Sequence, residues 1–324
     1  MNDHPGGAVR VIDSHVHLWD PERFHYGWLK EHSDLNRPFL LQDLEFGQVD
    51  EIIAVQANCG DDEGLAEVLW LESMFVEGRV PLAGIVAFAP IDDIALRQAS
   101  LDALGECSSV VGVRRLLQDE PDELLSSTEL RTGLEELRDR NWTFDACVRW
   151  HQLDALAVIV RAVPTLRVVV DHLGKPPILE GIDSDSGRSW LRAMKRLATL
   201  DDVAIKLSGL PAEAPLRNIA DTASPFLRAA IDIFGPGRCM FGSDWPVSTA
   251  LSQTDYRSWF QVVVDGLGDQ EQIDVLGGTA SRWYRIPGRE LGATPTPTPA
   301  AAAASAASAA SAASAASAAS AAGD

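Results

Sequence analysis

Eight short apolar runs, separated by turns and by stretches with helical spacing, constrain the fold more than any other feature of this chain. The runs are rich in Val, Ile and Phe, as buried β-strands are. They start at residues 10, 51, 82, 110, 143, 167, 203 and 239. Strands that alternate with helices pair in parallel through crossovers, and eight such units over about 280 residues match a (β/α)8 barrel. We predict an α/β protein with a TIM barrel in a single domain; an open doubly wound sheet is the alternative, because periodicity does not show closure.

Helices are predicted between the runs, where leucines and alanines recur every three or four residues. The clearest stretches are DEGLAEVLWLESMFVEG from 62, ALRQASLDALGE from 95, STELRTGLEELRDRN from 127 and LDALAVIVRAVP from 153.

The two ends of the chain differ from the rest. We predict an N-terminal extension at residues 1–8 and the barrel at residues 9–288. After Arg285, TPTPTP is an extended spacer, and the Ala-Ala-Ser triplets that follow have no large apolar side chain to bury. Residues 289–324 are therefore predicted to be a disordered low-complexity tail, with a flexible tether for a partner as the alternative.

The chain is strongly acidic. Its 27 Lys and Arg against 47 Asp and Glu give a formal charge of −20. Such a field repels nucleic acid and anionic membrane surfaces, so neither is expected as a partner. The first residues lack the apolar segment of a secretory signal, and the four cysteines form no CxxC pair. We expect a cytoplasmic protein with reduced thiols, without a disulfide framework or a thiolate zinc site.

Two histidines follow each other closely in the first apolar run, VIDSHVHLWDP. Alternation along a strand predicts that Asp13, His15 and His17 share one face, with Ser14 and Val16 on the other. At the carboxyl end of a barrel strand, two imidazoles can bind one divalent metal ion or donate to a polarised carbonyl.

Other strand ends supply further polar side chains. His172 ends the sixth run, VVVDHLGKP, and Asp244 ends the eighth, MFGSDWPV, where Gly242 leaves space below the carboxylate. These strands are far apart in sequence but adjacent around a closed barrel. We therefore expect the three histidines and Asp244 to converge at the barrel mouth.

Five motifs, in order, carry a resemblance to a known family: DSHVHLWD, GVRRLLQDEPD, VVVDHLGKP, IKLSGL and FGSDWPV. Over about residues 9 to 286 the chain resembles the amidohydrolase-related branch of the amidohydrolase superfamily, in particular sugar lactonases of the L-fucono- and L-rhamnono-lactonase type. The resemblance implies a hydrolase of carbohydrate catabolism that opens an aldonolactone by adding water. It implies that His15, His17 and His172 polarise the lactone carbonyl, directly or through one divalent metal ion, while Asp244 is the general base.

The same resemblance bears on the metal. If a metal is bound, zinc is the first choice and its ligands are His15, His17, His172 and Asp244; metal-free catalysis is also compatible with the branch. Binuclear members carry a bridging lysine or glutamate on a middle strand. The fourth and fifth strands here instead offer Arg114, Arg115, Asp145, Cys147 and Arg149, which argues against a two-metal centre.

Candidate substrate contacts lie near these strand ends. Only one of Arg114 and Arg115 can face the mouth; we choose Arg114, from the family's Gly-x-Arg, with a salt bridge as the alternative. Arg149 and His151 are candidates for substrate contact or for structural capping. The aromatic candidates are Tyr26, Trp28 and Trp245, because an indole or phenol ring can cover the C–H face of a sugar.

Three smaller expectations complete the site. His25 and His32 are expected at the surface. A buried Lys206 would need a carboxylate, for which Asp13 is one candidate. A small-molecule sugar lactone is the expected partner, and homo-oligomer formation is left open.

Two other functions stay open beside lactone hydrolysis. One is a metal-dependent decarboxylase or hydratase of the same superfamily. The other is a barrel that binds a sugar acid without catalysis.

Overall fold

The computed structural model describes residues 9–44, 49–60, 63–76 and 82–287. The predicted N-terminal extension at residues 1–8 and the predicted tail at residues 289–324 lie outside the described residues. Among the described residues, no helix is both long and apolar enough to cross a membrane.

The eight predicted strands form one parallel sheet in sequential order, so the TIM barrel is confirmed. The strands are β1 (Ile12–Val16), β2 (Glu51–Val55), β3 (Leu82–Phe88), β4 (Val110–Leu116), β5 (Thr143–Cys147), β6 (Val168–Val170), β7 (Val203–Leu207) and β8 (Cys239–Phe241). Backbone hydrogen bonds from Asp244 N–H to His15 O and from His17 N–H to Trp245 O bring the end of β1 to the residues that follow β8. The first and last strands thus meet at the carboxyl end of the barrel.

The four helices predicted above are all present, as the first four of the following set. The helices are α1 (Gly64–Val76), α2 (Arg97–Gly105), α3 (Thr128–Asp139), α4 (Leu153–Ala162), α5 (Asp185–Leu197), α6 (Leu210–Glu213), α7 (Ile219–Phe234), α8 (Val247–Ala250), α9 (Tyr256–Asp265), α10 (Asp269–Ile273) and α11 (Thr279–Trp283). Short 3-10 helices, with one π-helical turn at Asp274–Gly278, complete the connections.

Two apolar cores lie on opposite sides of the barrel wall. A small inner core combines strand residues such as Ile12 and Val169 with Ala280 of α11 and Tyr284, which directly follows that helix. A much larger outer core packs the helices onto the strands. The inner core supports the polar residues at the mouth of the barrel.

Strand β1 does not keep the predicted alternation. Its pairing with β2 shifts between Asp13 and Val16, which is the mark of a β-bulge. Asp13 therefore faces the outer helices, where its carboxylate accepts a hydrogen bond from the Tyr256 hydroxyl at 2.7 Å, whereas His15 contacts Lys206 inside the barrel. The expectation that Asp13 shares a face with His15 and His17 is wrong, because the bulge resets the register after Asp13.

Removal of the Asp13 carboxylate should weaken the seam between β1 and β8. The carboxylate accepts backbone N–H groups of His15 at 3.1 Å and Ser243 at 2.9 Å, besides the Tyr256 hydroxyl. Asp13→Ala leaves these buried donors without a partner and should lower the free energy of unfolding by roughly 2 kcal/mol in urea titrations. Asp13→Asn keeps an acceptor oxygen and is the control; equal stability of all three proteins would contradict the prediction.

Candidate active site at the barrel mouth

Three histidines and one aspartate converge at the carboxyl end of the barrel. From Asp244 Oδ1, the Nε2 atoms lie at 3.7 Å for His15, 3.6 Å for His17 and 3.9 Å for His172. The Nε2 atoms of His15 and His17 are 3.1 Å apart. His15 is fully buried, and the other three side chains are almost fully buried. The structure therefore brings together the four residues that the sequence placed at three strand ends.

Glycine at position 242 allows β1 and β8 to approach each other closely. A Cβ atom there would lie 2.9 Å from His15 Cβ and 3.1 Å from Ser208 Cβ. Asp244, two residues later, has a positive φ of 57°, and its Oδ2 accepts a hydrogen bond from the Ser248 hydroxyl at 2.9 Å. Its other oxygen, Oδ1, is the one that faces the imidazoles.

The chain after β6 forms a left-handed turn. His172, Leu173, Gly174 and Lys175 all have positive φ, at 54°, 55°, 66° and 45°. Each non-glycine residue in this region costs roughly 1–2 kcal/mol, so the surrounding structure must hold the turn in place. The turn directs His172 into the histidine cluster and carries Lys175 to the pocket.

Hydrogen bonds to the far ring nitrogens orient two of the imidazoles. His17 Nδ1 lies 2.7 Å from Val55 O, and a carbonyl oxygen can only accept, so this nitrogen carries the hydrogen. His17 Nε2 therefore has a free lone pair. His172 Nδ1 lies 2.9 Å from the Ser208 hydroxyl, which can donate or accept.

Charge at the site is concentrated on the aspartate. Burial alone would raise the pKa of the Asp244 carboxyl, but His172 and the contact with His17 outweigh burial and hold that pKa well below its ordinary value. Burial lowers the pKa of His15 and His17, and it lowers the pKa of His172 to about 4. At neutral pH the site thus combines a carboxylate with three neutral imidazoles.

A buried ionic network lies beneath the histidines. Lys206 Nζ is 2.6 Å from Asp145 Oδ2, 3.1 Å from Asp171 Oδ1 and 3.1 Å from His15 Nδ1. The Tyr284 hydroxyl donates to the same Asp145 oxygen at 2.7 Å. The lysine thus has carboxylate partners on β5 and directly after β6, and the suggestion that Asp13 could pair with it is wrong.

An open pocket of about 340 Å³ lies above this cluster. His17, His172 and Asp244 form part of its wall, whereas fully buried His15 does not. Of the six predicted substrate contacts, Arg114 and Trp28 line the pocket. Arg115 instead pairs with Asp92 and Glu120.

The structure does not place the other four predicted substrate contacts among the described residues that line this pocket. Tyr26 is buried and donates its hydroxyl to Glu67. Trp245 is buried with its ring centroid 5.8 Å from that of Phe39.

The remaining two of these contacts, Arg149 and His151, do not line the pocket themselves, although Asp119, the partner of Arg149, does. Arg149 pairs with Asp119 at 3.2 Å, and exposed His151 has its ring centroid 5.8 Å from that of Trp150. Capping, the alternative for Arg149, agrees with the backbone bond from its N–H to Gln152 Oε1.

Several pocket residues, among them Gln118 and Glu213, were not singled out from the sequence. Glu213 lies 3.2 Å from Lys175, which follows the sixth apolar run and also lines the pocket. His32, expected at the surface, also reaches it. The sequence did contain a signal for Asp171, because this residue directly precedes His172 just after the end of β6. Its role as a partner of Lys206 depends on the position of that lysine on β7, the next strand.

The donor set fits a divalent metal ion. Three imidazole nitrogens and a carboxylate oxygen are ligands that Zn²⁺ prefers. His15 Nε2 and His17 Nε2 are 3.1 Å apart and the three imidazoles lie 3.6 to 3.9 Å from Asp244 Oδ1, close to the ligand spacing of about 3.3 Å in a tetrahedral site with bonds near 2.0 Å. The donor atoms of His15, His172 and Asp244 all lie within 4.8 Å of one another. The far ring nitrogens of all three histidines also lie within 3.2 Å of an oxygen atom, as is usual for metal-bound histidines.

Comparisons with known proteins identify relatives of this chain. Residues 12–286 match the amidohydrolase family. An L-fucono-1,5-lactonase from Burkholderia ambifaria is 31% identical over 288 residues, which cover 85% of this chain and 95% of that protein. An L-rhamnono-gamma-lactonase from Scheffersomyces stipitis is 29% identical over 183 residues, 50% of this chain and 54% of that protein.

A solved structure is similar in fold as well as in sequence. The crystal structure of an amidohydrolase from Burkholderia multivorans with bound zinc is 30% identical and covers 86% of this chain and all of its own, with a TM-score of 0.72. The match to the family extends from the first strand to the end of the barrel. The chain therefore belongs to the amidohydrolase family.

Proposed function

We propose that this protein is a hydrolase that opens the ring of a sugar (aldono-) lactone by adding water. The observation that carries the proposal is the charged Asp244 carboxylate, whose Oδ1 lies within 3.9 Å of three neutral imidazoles at the base of a pocket. The lactonases among its relatives support a cyclic ester as the substrate. Such a reaction belongs to carbohydrate catabolism in the cytoplasm, after oxidation of a sugar to its lactone.

Asp244 is the general base in this proposal. Its Oδ2 is held by the Ser248 hydroxyl, so Oδ1 is free to take a proton from the attacking water. The same oxygen then returns the proton to the ring oxygen as the C–O bond breaks. The products are one hydroxyl group and one carboxylic acid on the opened sugar acid, and the carboxylic acid then releases its proton to the solvent.

Without a metal ion, His172 is the imidazole that can stabilise the negative charge that develops on the carbonyl oxygen, because His17 Nε2 carries a lone pair and His15 is fully buried. If the Ser208 hydroxyl donates to His172 Nδ1, His172 Nε2 carries a hydrogen that it can donate to this oxygen. A divalent metal ion bound by His15, His17, His172 and Asp244, with zinc as the first choice, would polarise the same carbonyl and lower the pKa of a bound water.

Other pocket residues have roles in binding the sugar. Arg114 and Lys175 place two cations on the pocket wall, where they can bind the new carboxylate. Trp28 can cover the apolar face of the ring, and fully buried Trp19 packs against it with ring centroids 5.3 Å apart. Hydroxyl groups can bond to Gln118 and Glu213.

The proposal is tested with a pH-indicator assay on L- and D-aldonolactones of five- and six-membered rings. The protein is assayed as isolated, after chelation and with zinc restored. Enzyme-dependent proton release from a subset of lactones is the expected result. If folded protein released no protons from any lactone of the panel, with or without zinc, the proposal would be overturned. A rise in melting temperature with a sugar acid and without turnover would then indicate a sugar-acid-binding barrel. Release of carbon dioxide from a candidate acid would indicate a decarboxylase.

Glycine at position 209 should be needed for activity. It has a φ of 72°, and a Cβ atom there would lie 2.3 Å from His172 Nδ1. Gly209→Ala should displace the imidazole and lower kcat/KM by about 10²-fold, as misplacement by about 1 Å can do. Gly181→Ala is the matched control, because Gly181 has a φ of 86° and a Cβ atom there would meet no described residue within 4 Å beyond its chain neighbours. Equal activity of the two variants would contradict this role.

The His172 imidazole should stay neutral far into the acid range. Burial lowers its pKa to about 4, so protonation becomes appreciable only as the pH falls toward that value. In metal-free protein, an NMR titration of the ring protons should give a midpoint near this pKa, with free histidine in the same buffer as the reference. A midpoint near the ordinary value of about 6.5 would show that the ring is exposed to water.

A further inference from the structure

His15 has a donor and an acceptor at the same ring nitrogen. Its Nδ1 lies 3.1 Å from Lys206 Nζ and 3.2 Å from Asp171 Oδ1, and all three side chains are fully buried. An ammonium group can only donate, and a carboxylate can only accept. Nδ1 is therefore without hydrogen when it pairs with Lys206 and carries hydrogen when it pairs with Asp171.

The first arrangement forms a continuous chain of hydrogen bonds. Lys206 donates to His15 Nδ1, so the hydrogen of His15 is on Nε2. That nitrogen lies 3.1 Å from His17 Nε2, which has a free lone pair because His17 Nδ1 donates to Val55 O. Every group in the chain from Lys206 to Val55 is then satisfied without a metal ion.

The second arrangement leaves two lone pairs facing each other. When His15 Nδ1 donates to Asp171, the Nε2 atoms of His15 and His17 both lack hydrogen at 3.1 Å. Two such lone pairs repel unless a cation lies against both of them. The two arrangements contain the same number of protons and differ only in which nitrogen of His15 carries one.

We propose that Lys206 and Asp171 set the tautomer of His15, and that Lys206 holds a metal-free form while Asp171 holds the form that binds a divalent cation. Lys206 is thus a positioning residue that weakens metal binding. The contact of Lys206 with His15 has hydrogen-bond geometry. Asp171 Oδ1 is the ion-pair partner of Lys206 at 3.1 Å and lies 3.2 Å from His15 Nδ1 without hydrogen-bond geometry to that nitrogen. An acceptor that is near His15 Nδ1 but paired with the ammonium is what the metal-free form requires.

The inference goes beyond lactone hydrolysis and its test needs no turnover. Protein labelled with ¹⁵N at its seven histidines is compared by NMR after chelation and with added Zn²⁺; the His15 signals are assigned by their absence in His15→Asn. Before zinc, Nε2 of His15 should carry the hydrogen, and with zinc Nδ1 should carry it. Hydrogen on Nδ1 before zinc is added, or on both nitrogens, would overturn the proposal.

Affinity for Zn²⁺ alone, measured by isothermal titration calorimetry, tests the two partners separately. Lys206→Met combined with Asp145→Asn removes the ammonium without leaving Asp145 as an unpaired carboxylate, and it should bind zinc about 10- to 100-fold more tightly than the wild type. Asp171→Leu removes the acceptor and should bind zinc more weakly by a similar factor.

Tyr284→Phe is the matched control for these variants. It removes another bond to Asp145 but leaves both partners of His15 in place, so its zinc affinity should equal that of the wild type. Circular dichroism verifies folding. Unchanged or weaker zinc binding by the folded double variant would overturn the proposal. If that variant does not fold, the NMR measurement of the His15 tautomer in the wild type decides whether the proposal holds.

Discussion

Asp244→Asn is expected to lower kcat/KM for lactone hydrolysis by about 10²- to 10⁴-fold, the contribution of a general base. The amide cannot take a proton from water at the position of Oδ1. The substitution is otherwise mild, because asparagine tolerates the positive φ of 57° and can still accept the hydrogen bond from Ser248. Initial rates over a range of lactone concentrations, corrected for spontaneous hydrolysis, give the measurement.

Ser248→Ala distinguishes the effect of the Asp244 base from the effect of the hydrogen bond that holds it. This variant keeps the Asp244 carboxylate and removes only the hydroxyl at 2.9 Å from Oδ2. A loss of less than about 10-fold is expected, since one neutral hydrogen bond is worth about 1 kcal/mol. If Asp244→Asn retained more activity than Ser248→Ala, the aspartate could not be the base.

Lys206→Met is expected to lower the free energy of unfolding by about 3–5 kcal/mol, the cost of leaving buried charge without its partner. Burial alone would lower the pKa of Lys206, but Asp145 and Asp171 raise it, so the lysine is charged in the folded protein. Without it, two carboxylates with no exposure to water lie close together. Urea unfolding at pH 7 measures the loss.

Two variants locate the origin of this loss. Lys206→Met with Asp145→Asn removes one of the unpaired charges and should recover much of the stability. Tyr284→Phe removes only a neutral donor and should cost about 1 kcal/mol. If the single and double variants were equally unstable, lost packing rather than unpaired charge would be the cause.

The sequence was sufficient to locate the strands and the residues at their ends. The eight apolar runs correspond to β1–β8, because parallel strands buried on both faces need continuous apolar segments. The barrel then places His15, His172 and Asp244 at one end, since the carboxyl ends of parallel strands meet there. Periodicity and chain order were enough for this much.

Other features depended on geometry that composition does not record. The bulge that turns Asp13 away from the histidines adds a residue to β1 without changing its apolar character. The left-handed turn at residues 172–175 contains one glycine and three other residues, and those three usually avoid a positive φ. The pairing of Lys206 with Asp145 and Asp171 needs the register of three strands, and alternation along one strand cannot supply it.

The junction of the first and last strands also sets the order in which the site can form. Asp244 N–H bonds to His15 O, and His17 N–H bonds to Trp245 O, so residues more than 200 positions apart hold each other in place. Contacts of such long range form late in folding, because a long loop must close first. During synthesis the first strand can therefore form these bonds only after nearly the whole barrel has left the ribosome. A chain that ends before β8 would contain His15, His17 and His172. It would lack Asp244 and the backbone hydrogen bonds that join β1 to the residues after β8.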